Sequence, residues 1–127
     1  MKSTDGAHEV LAVLTGRVKG AMVAAWLGPE GEVLDSYPSG LPNEAPLLFA
    51  DLLSTAHRLH QGQLRATLIE LEGAALIGVP LRDGSALLLV LRPEAPIGQG
   101  LFELRKAAFW WDRGRTDGGY RELHPHE

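Results

Sequence analysis

Cysteine is absent from the 127-residue chain, which excludes disulfide bonds and thiol chemistry and makes a reducing, cytoplasmic compartment the expectation. The net charge is −4 and no block of like charges occurs, which argues against nucleic acid or an anionic membrane as the main partner. No uncharged apolar run approaches the roughly 18 residues of a membrane span. Charged side chains within the first ten residues leave no apolar core for a signal peptide.

Sequence motifs of catalysis and nucleotide binding are also missing. The chain has no G-x-x-x-x-G-K-[ST] loop, no G-x-G-x-x-G between a strand and a helix, no G-x-S-x-G elbow and no H-E-x-x-H pair. His57 and His60 lie three residues apart on a predicted helix, but no carboxylate or thiol at matching spacing completes a metal site. We therefore expect no enzymatic activity, no cofactor and no metal ion.

The apolar pattern predicts one domain over residues 1–111, followed by a flexible tail over 112–127 that is rich in Gly, Arg, Asp and His. The domain contains eight predicted elements in the order α-β-β-α-β-β-β-α. They are a helix from Ala7 to about Lys19, strands at Ala21–Leu27 and Glu32–Ser36, a helix at Asn43–Gln61, strands at Ala66–Leu71, Ala74–Leu81 and Ala86–Leu91, and a helix from Pro96 to about Trp111.

The middle helix, Asn43–Gln61, has the clearest helical pattern. Its apolar residues recur at helical spacing on one arc, and Asn43 is a natural N-cap. Each link between consecutive strands is short, which predicts a mainly antiparallel sheet. Two strands, Ala21–Leu27 and Ala86–Leu91, are almost entirely apolar, so both faces of the sheet need a cover. We therefore predict an α/β (α+β) fold, a three-layer α/β/α sandwich around five strands.

The turns and strand ends carry specific expectations. Asp83-Gly84 predicts a type I′ turn in the hairpin between the last two strands. Pro80 cannot donate to a sheet ladder and is expected near the end of its strand. Val33 is a candidate for an inward-facing residue of the second strand.

This order of elements resembles the Roadblock family, named for a dynein light chain and common in bacteria. Three segments carry the resemblance: the opening helix, strand, glycine-bearing turn and strand at 10–38, the middle helix NEAPLLFADLLSTAHRL, and the triple meander at 64–107 with its small-residue entry to the last helix. Longin-like and profilin-like domains share parts of this architecture. A profilin-like module with a small-molecule pocket is therefore the alternative.

The resemblance implies a homodimer in which the middle helices pair and the strands that follow them meet edge to edge. The strand at the edge would be Ala66–Leu71, which carries no proline or lysine to protect it. One flank of the middle helix would face the sheet and the other the mate, and the sequence does not say which. The residues implied for the dimer interface are Leu48, Phe49, Leu52, Leu53, Ala56, His57, Thr67, Ile69 and Leu71.

Roadblock dimers are partners of small Ras-like GTPases, and a similar dimer in bacterial gliding systems accelerates GTP hydrolysis. The resemblance thus implies a scaffold that docks a GTPase and regulates or localises it. The exposed side of the paired helices is the expected docking face, with Leu47, Asp51, Ser54 and Arg58. Arg58, Arg65 and Arg82 are candidates for an arginine inserted beside a partner's GTP, although solubilising surface arginines are the more ordinary interpretation.

Four aromatic residues cluster in the last helix. Trp111 and Phe109 are interpreted as core residues that pack against the first helix and the sheet. Trp110 falls on the opposite side of the helix and is a candidate for partner binding, since exposed aromatics often anchor interfaces.

Overall fold

The computed structural model describes residues 4–38 and 65–113. They form two helices and five strands in chain order. These are α1 Thr4–Arg17, β1 Ala21–Leu27, β2 Val33–Tyr37, β3 Thr67–Glu70, β4 Ala75–Pro80, β5 Ala86–Leu91 and α2 Ile97–Asp112. The predicted middle helix and the predicted tail beyond residue 113 lie outside the described residues.

The five strands form one sheet in the order β2-β1-β5-β4-β3, and every neighbouring pair is antiparallel. The predicted five-stranded antiparallel sheet is therefore confirmed. The two strands predicted from their apolar runs, β1 and β5, are adjacent in the interior of the sheet. All six residues of β5 are buried, as expected for a strand covered on both faces.

Alternate side chains of the strands build a core on each face of the sheet. On the first face, α1 packs against β1 and β2, and α2 packs against β4 and β5. Leu11 and Leu14 of α1 and Leu104 and Trp111 of α2 are fully buried there. Trp26 of β1 meets Trp111 with ring centroids 5.0 Å apart, and its indole N–H donates to the Ser85 hydroxyl at 3.1 Å.

The second face carries its own buried cluster. Ala25, Leu27, Ala86, Leu88 and Val90 belong to it, and Ile69 of β3 packs against it. Neither α1 nor α2 contributes a side chain to this cluster. Burial on both faces is what the predicted layered fold requires, because an uncovered sheet face would leave these side chains in water.

Two local expectations are wrong. Val33 is 45% exposed, because β2 is an edge strand whose pairing with β1 is interrupted by a bulge beside it. The hairpin turn is not centred on Asp83-Gly84: the Gly84 N–H donates to the Leu81 carbonyl, so Arg82 and Asp83 are the central residues. Gly84 follows with φ 93°, the pattern of a turn closed by a left-handed glycine.

The Asp83 carboxylate accepts hydrogen bonds from the backbone N–H and the hydroxyl of Ser85. These bonds stabilise the turn in the position that the structure shows. Pro80 is the last residue of β4, as predicted. In the part of the chain that the structure describes, no helix is long and apolar enough to cross a membrane.

Candidate interaction surfaces

The β3 strand lies at one edge of the sheet, where the sequence placed it. Within residues 4–38 and 65–113 it pairs only with β4, in an unbroken register from Thr67 opposite Gly78 to Glu70 opposite Ala75. The Leu71 N–H donates to the Ala74 carbonyl at 2.8 Å and closes the hairpin. β3 thus presents one unpaired side of its backbone outward.

The register determines which backbone groups point outward. Hydrogen-bonded and non-hydrogen-bonded pairs alternate along an antiparallel ladder. Because Leu71 bonds to Ala74, Ile69 and Thr67 are the next residues whose backbone groups face β4. The N–H and C=O groups of Leu68 and Glu70 therefore point away from the sheet, where they are available to a further strand.

Apolar side chains accompany this open edge. Leu68 is 51% exposed and Leu71 is 54% exposed, whereas Thr67 and Ile69 are half-buried. Three of these residues, Thr67, Ile69 and Leu71, were predicted for the dimer interface. Leu68 was not predicted for the interface, because its side chain alternates with these three and lies on the other face of the strand.

The opposite edge of the sheet, β2, differs in three ways. A bulge interrupts its pairing with β1, Pro38 follows its last residue, and Asp35 projects a carboxylate 3.1 Å from the His8 ring. Bulges, prolines and charges are the devices by which proteins protect sheet edges from pairing. The described residues of β3 contain neither a bulge nor a proline, although Glu70 places one exposed carboxylate on the strand and exposed leucines occur at both edges.

Helix α2 buries a broad arc, which corrects one predicted site. Trp110 is 7% exposed and Trp111 is fully buried, so the expectation that Trp110 lies on the exposed side of the helix is wrong. The buried residues of α2 span an arc of about 160° at 100° per residue. This arc is wide because α2 contacts α1 as well as the sheet.

The outer face of α2 presents instead the two phenylalanines. Phe102 is 60% exposed and Phe109 is 62% exposed, so the interpretation of Phe109 as a core residue is wrong. The Lys106 ammonium lies 4.7 Å from the centroid of the Phe102 ring, and the Arg113 guanidinium lies 4.8 Å from that of Phe109. Together with exposed Arg105, these residues form what we call the aromatic–basic strip: Phe102, Arg105, Lys106, Phe109 and Arg113.

The remaining predicted site residues divide into two groups. Arg65 and Arg82 are both exposed, and the Arg82 backbone N–H donates to Asp112 Oδ1 at 2.9 Å. The register, with Thr67 opposite Gly78, puts both at the same end of the β3–β4 pair, and they stay predictions as arginine fingers. The others fall outside the described residues. These are Leu47, Leu48, Phe49, Asp51, Leu52, Leu53, Ser54, Ala56, His57 and Arg58.

Comparison of sequences finds no relative: no family profile and no curated protein matches the chain. Comparison of structures does. The gliding protein MglB of Thermus thermophilus is similar with a TM-score of 0.76 and 20% identity, over 89% of this chain and 90% of that one. A Roadblock/LC7 domain of Streptomyces avermitilis is similar with a TM-score of 0.63 and 21% identity, over 80% and 91%.

Profilin IB of Acanthamoeba castellanii is also similar, with a TM-score of 0.64 and 15% identity, over 84% of this chain and 96% of that one. Profilin thus matches about as well as the Roadblock/LC7 domain, while MglB matches better than either. Likeness at these identities concerns the fold. The chain therefore has the Roadblock-like fold, with its five-stranded antiparallel sheet and flanking helices, that MglB and Roadblock/LC7 domains share.

Proposed function

We propose that the chain is a non-catalytic, cytoplasmic scaffold that forms a homodimer and binds and regulates a small Ras-like GTPase. The observation that carries the proposal is the open β3 edge, with outward backbone groups at Leu68 and Glu70 and exposed leucines beside them. The likeness to a gliding protein supports the proposal. The resemblance of the sequence to Roadblock proteins is the reason for proposing a GTPase as the partner.

The dimer would join the two β3 edges into one ten-stranded sheet. Each copy offers the backbone groups of Leu68 and Glu70, so a self-paired edge forms few main-chain hydrogen bonds, each worth about 1 kcal/mol net. Leu68 and Leu71 are 51% and 54% exposed, so covering each adds about half of the roughly 1.5–3 kcal/mol that burial of a fully exposed leucine gives. Because β3 has only four residues, the paired middle helices implied by the resemblance would contribute the rest.

Assembly of a related protein supports self-association in general. One structure of MglB has a tetrameric arrangement. For this chain we propose the dimer as the basic unit.

The dimer is tested by sedimentation equilibrium of two matched leucine variants. Leu71→Lys places a charge at the proposed interface, and Leu34→Lys places one on the opposite edge, where Leu34 is 45% exposed. We expect Leu71→Lys to raise the dimer dissociation constant at least tenfold, which is about 1.4 kcal/mol, and Leu34→Lys to leave it unchanged. Equal effects of the two variants would show that β3 is not the interface. Leu71 suits this test better than Ile69, which packs against the second cluster.

The GTPase is tested by affinity purification from the native cytosol, with GTP-loaded and GDP-loaded conditions compared. We expect a Ras-like GTPase to be retained in one nucleotide state more than in the other. Arg58→Glu, on the predicted docking face, should abolish retention and leave the dimer intact. Retention that is equal for the wild-type protein and this variant would exclude the docking face proposed from the sequence.

A profilin-like ligand-binding module is the second candidate, because the fold likeness to profilin equals that to the Roadblock/LC7 domain. The two candidates differ in self-association. A protein that remains monomeric at micromolar concentration would favour the profilin-like function and would contradict the paired scaffold.

A further inference from the structure

The aromatic–basic strip on α2 is not used by the proposed dimer or by the proposed GTPase face. Its two phenylalanines are seven residues apart, which places them about 10 Å apart along the helix and nearly in line. Both are more than half exposed, although α2 buries a broad arc on its other side. Two neighbouring exposed phenylalanines on the outer face of a helix that packs its other side into the core indicate an interaction surface.

The charge of the strip is of one sign. Arg105, Lys106 and Arg113 flank the phenylalanines, and of the two carboxylates of α2 only that of Glu103 contacts a residue of the strip. Glu103 is 4% exposed and pairs with Lys106 at 3.5 Å, and Asp112 accepts the Arg82 N–H. The strip is therefore positive on a chain whose net charge is −4.

This charge pattern selects the occupant. A second copy docked strip to strip would bring arginines against arginines, which is unfavourable. A wide anionic membrane surface would meet the net negative charge of the whole protein. A narrow segment that is itself acidic contacts only the strip and avoids both costs.

We propose that the aromatic–basic strip binds an acidic, amphipathic helix of another protein. Apolar residues of that helix, spaced three, four or seven apart, lie over Phe102 and Phe109, because an amphipathic helix presents its apolar anchors at this spacing. Its glutamates and aspartates pair with Arg105 and Arg113. Each guanidinium group can donate two parallel hydrogen bonds to one carboxylate, so arginine at these positions is more specific than lysine.

The test selects binders of the full chain from a phage-displayed library of 14-residue helical peptides. The solvent-exposed positions of the peptides are randomised. We expect enriched peptides to be net acidic, to carry apolar residues at helical spacing and to bind at least tenfold more weakly to Phe102→Ala/Phe109→Ala. Both phenylalanines are exposed, so this variant should fold normally, which thermal unfolding checks. Failure to enrich any peptide, or enrichment of neutral or basic peptides, would overturn the proposal.

A matched pair of charge reversals isolates the electrostatic part. Arg105→Glu lies in the strip, while Arg92→Glu changes an exposed arginine before α2. The enriched peptide should lose at least tenfold in affinity for the first variant and remain unchanged for the second. An equal loss would mean that net charge, not the strip, governs binding. Binding to vesicles of phosphatidylcholine with 30% phosphatidylserine is measured in addition. Vesicle binding that depends on Phe102 and Phe109 would show that the strip binds a membrane surface and would overturn the proposed acidic helix.

Discussion

Single residues of α2 show how strongly burial differs along one helix. Trp111 is fully buried against Trp26, whereas Phe109, two residues earlier, is 62% exposed. The two side chains are both large and aromatic, so they form a natural pair for measurement.

Truncation of these two residues should have very different effects on stability. Trp111→Ala removes a large buried side chain and should lower the free energy of unfolding by about 3–5 kcal/mol. Phe109→Ala changes an exposed position and should stay within about 0.5 kcal/mol. Urea denaturation monitored by circular dichroism measures both. A loss at Phe109 as large as that at Trp111 would contradict the placement of the outer face of α2.

Contact of the last helix with both the first helix and the sheet was expected, but helical spacing does not report how wide an arc such neighbours bury. Trp110 was therefore placed on the exposed side. Packing of α2 against both α1 and the sheet brings Trp110 into the core. Phe109 was interpreted as a core residue, but Phe102 and Phe109 both lie opposite the centre of the buried arc.

At the scale of elements, the strands with continuous apolar runs were predictable from the sequence. The exposure of side chains on the edge strands was not. The bounds of β1 and β5 agree with the apolar runs to the residue, because a buried strand must be apolar on both faces. Pro80 marked the end of β4 because it lacks an N–H. Val33 was misjudged, since alternation identifies the face of a residue but not whether anything covers that face.

The backbone of β3 allows a test of the outward edge itself. Glu70→Pro removes an N–H that points away from the sheet, so it should leave the ladder to β4 intact and weaken the dimer. Ile69→Pro removes an N–H that faces β4 and an apolar contact, and should cost more than about 2 kcal/mol of folding stability. Thermal unfolding and sedimentation equilibrium separate the two effects.

One result for the two proline variants would contradict the backbone assignment of β3. If Glu70→Pro unfolds the protein as readily as Ile69→Pro, the assignment of outward and inward backbone groups along β3 is wrong. Glu70→Ala serves as the control for loss of the exposed carboxylate.

On the scale of the whole molecule, the two sheet edges are not equivalent. β2 has a bulge, a proline after its end and a contact between Asp35 and His8, whereas β3 has regular pairing with β4. The outer face of α2 adds a surface of a third kind, positive and aromatic. The β3 edge and the outer face of α2 are separate surfaces, as the proposed scaffold requires. The sequence indicated only the β3 edge, through its resemblance to Roadblock proteins.

Cross-linking of single cysteines tests the central claim most directly, because the chain has no cysteine of its own. Cysteines are placed one at a time at positions 68 to 71 on the β3 edge and, as a control, at Leu34 on β2. Two copies joined at β3 should form a disulfide-linked dimer of twice the 13.7 kDa chain mass at one or more β3 positions, and none at position 34. Cross-linking at position 34 alone, or at no β3 position, would contradict the account.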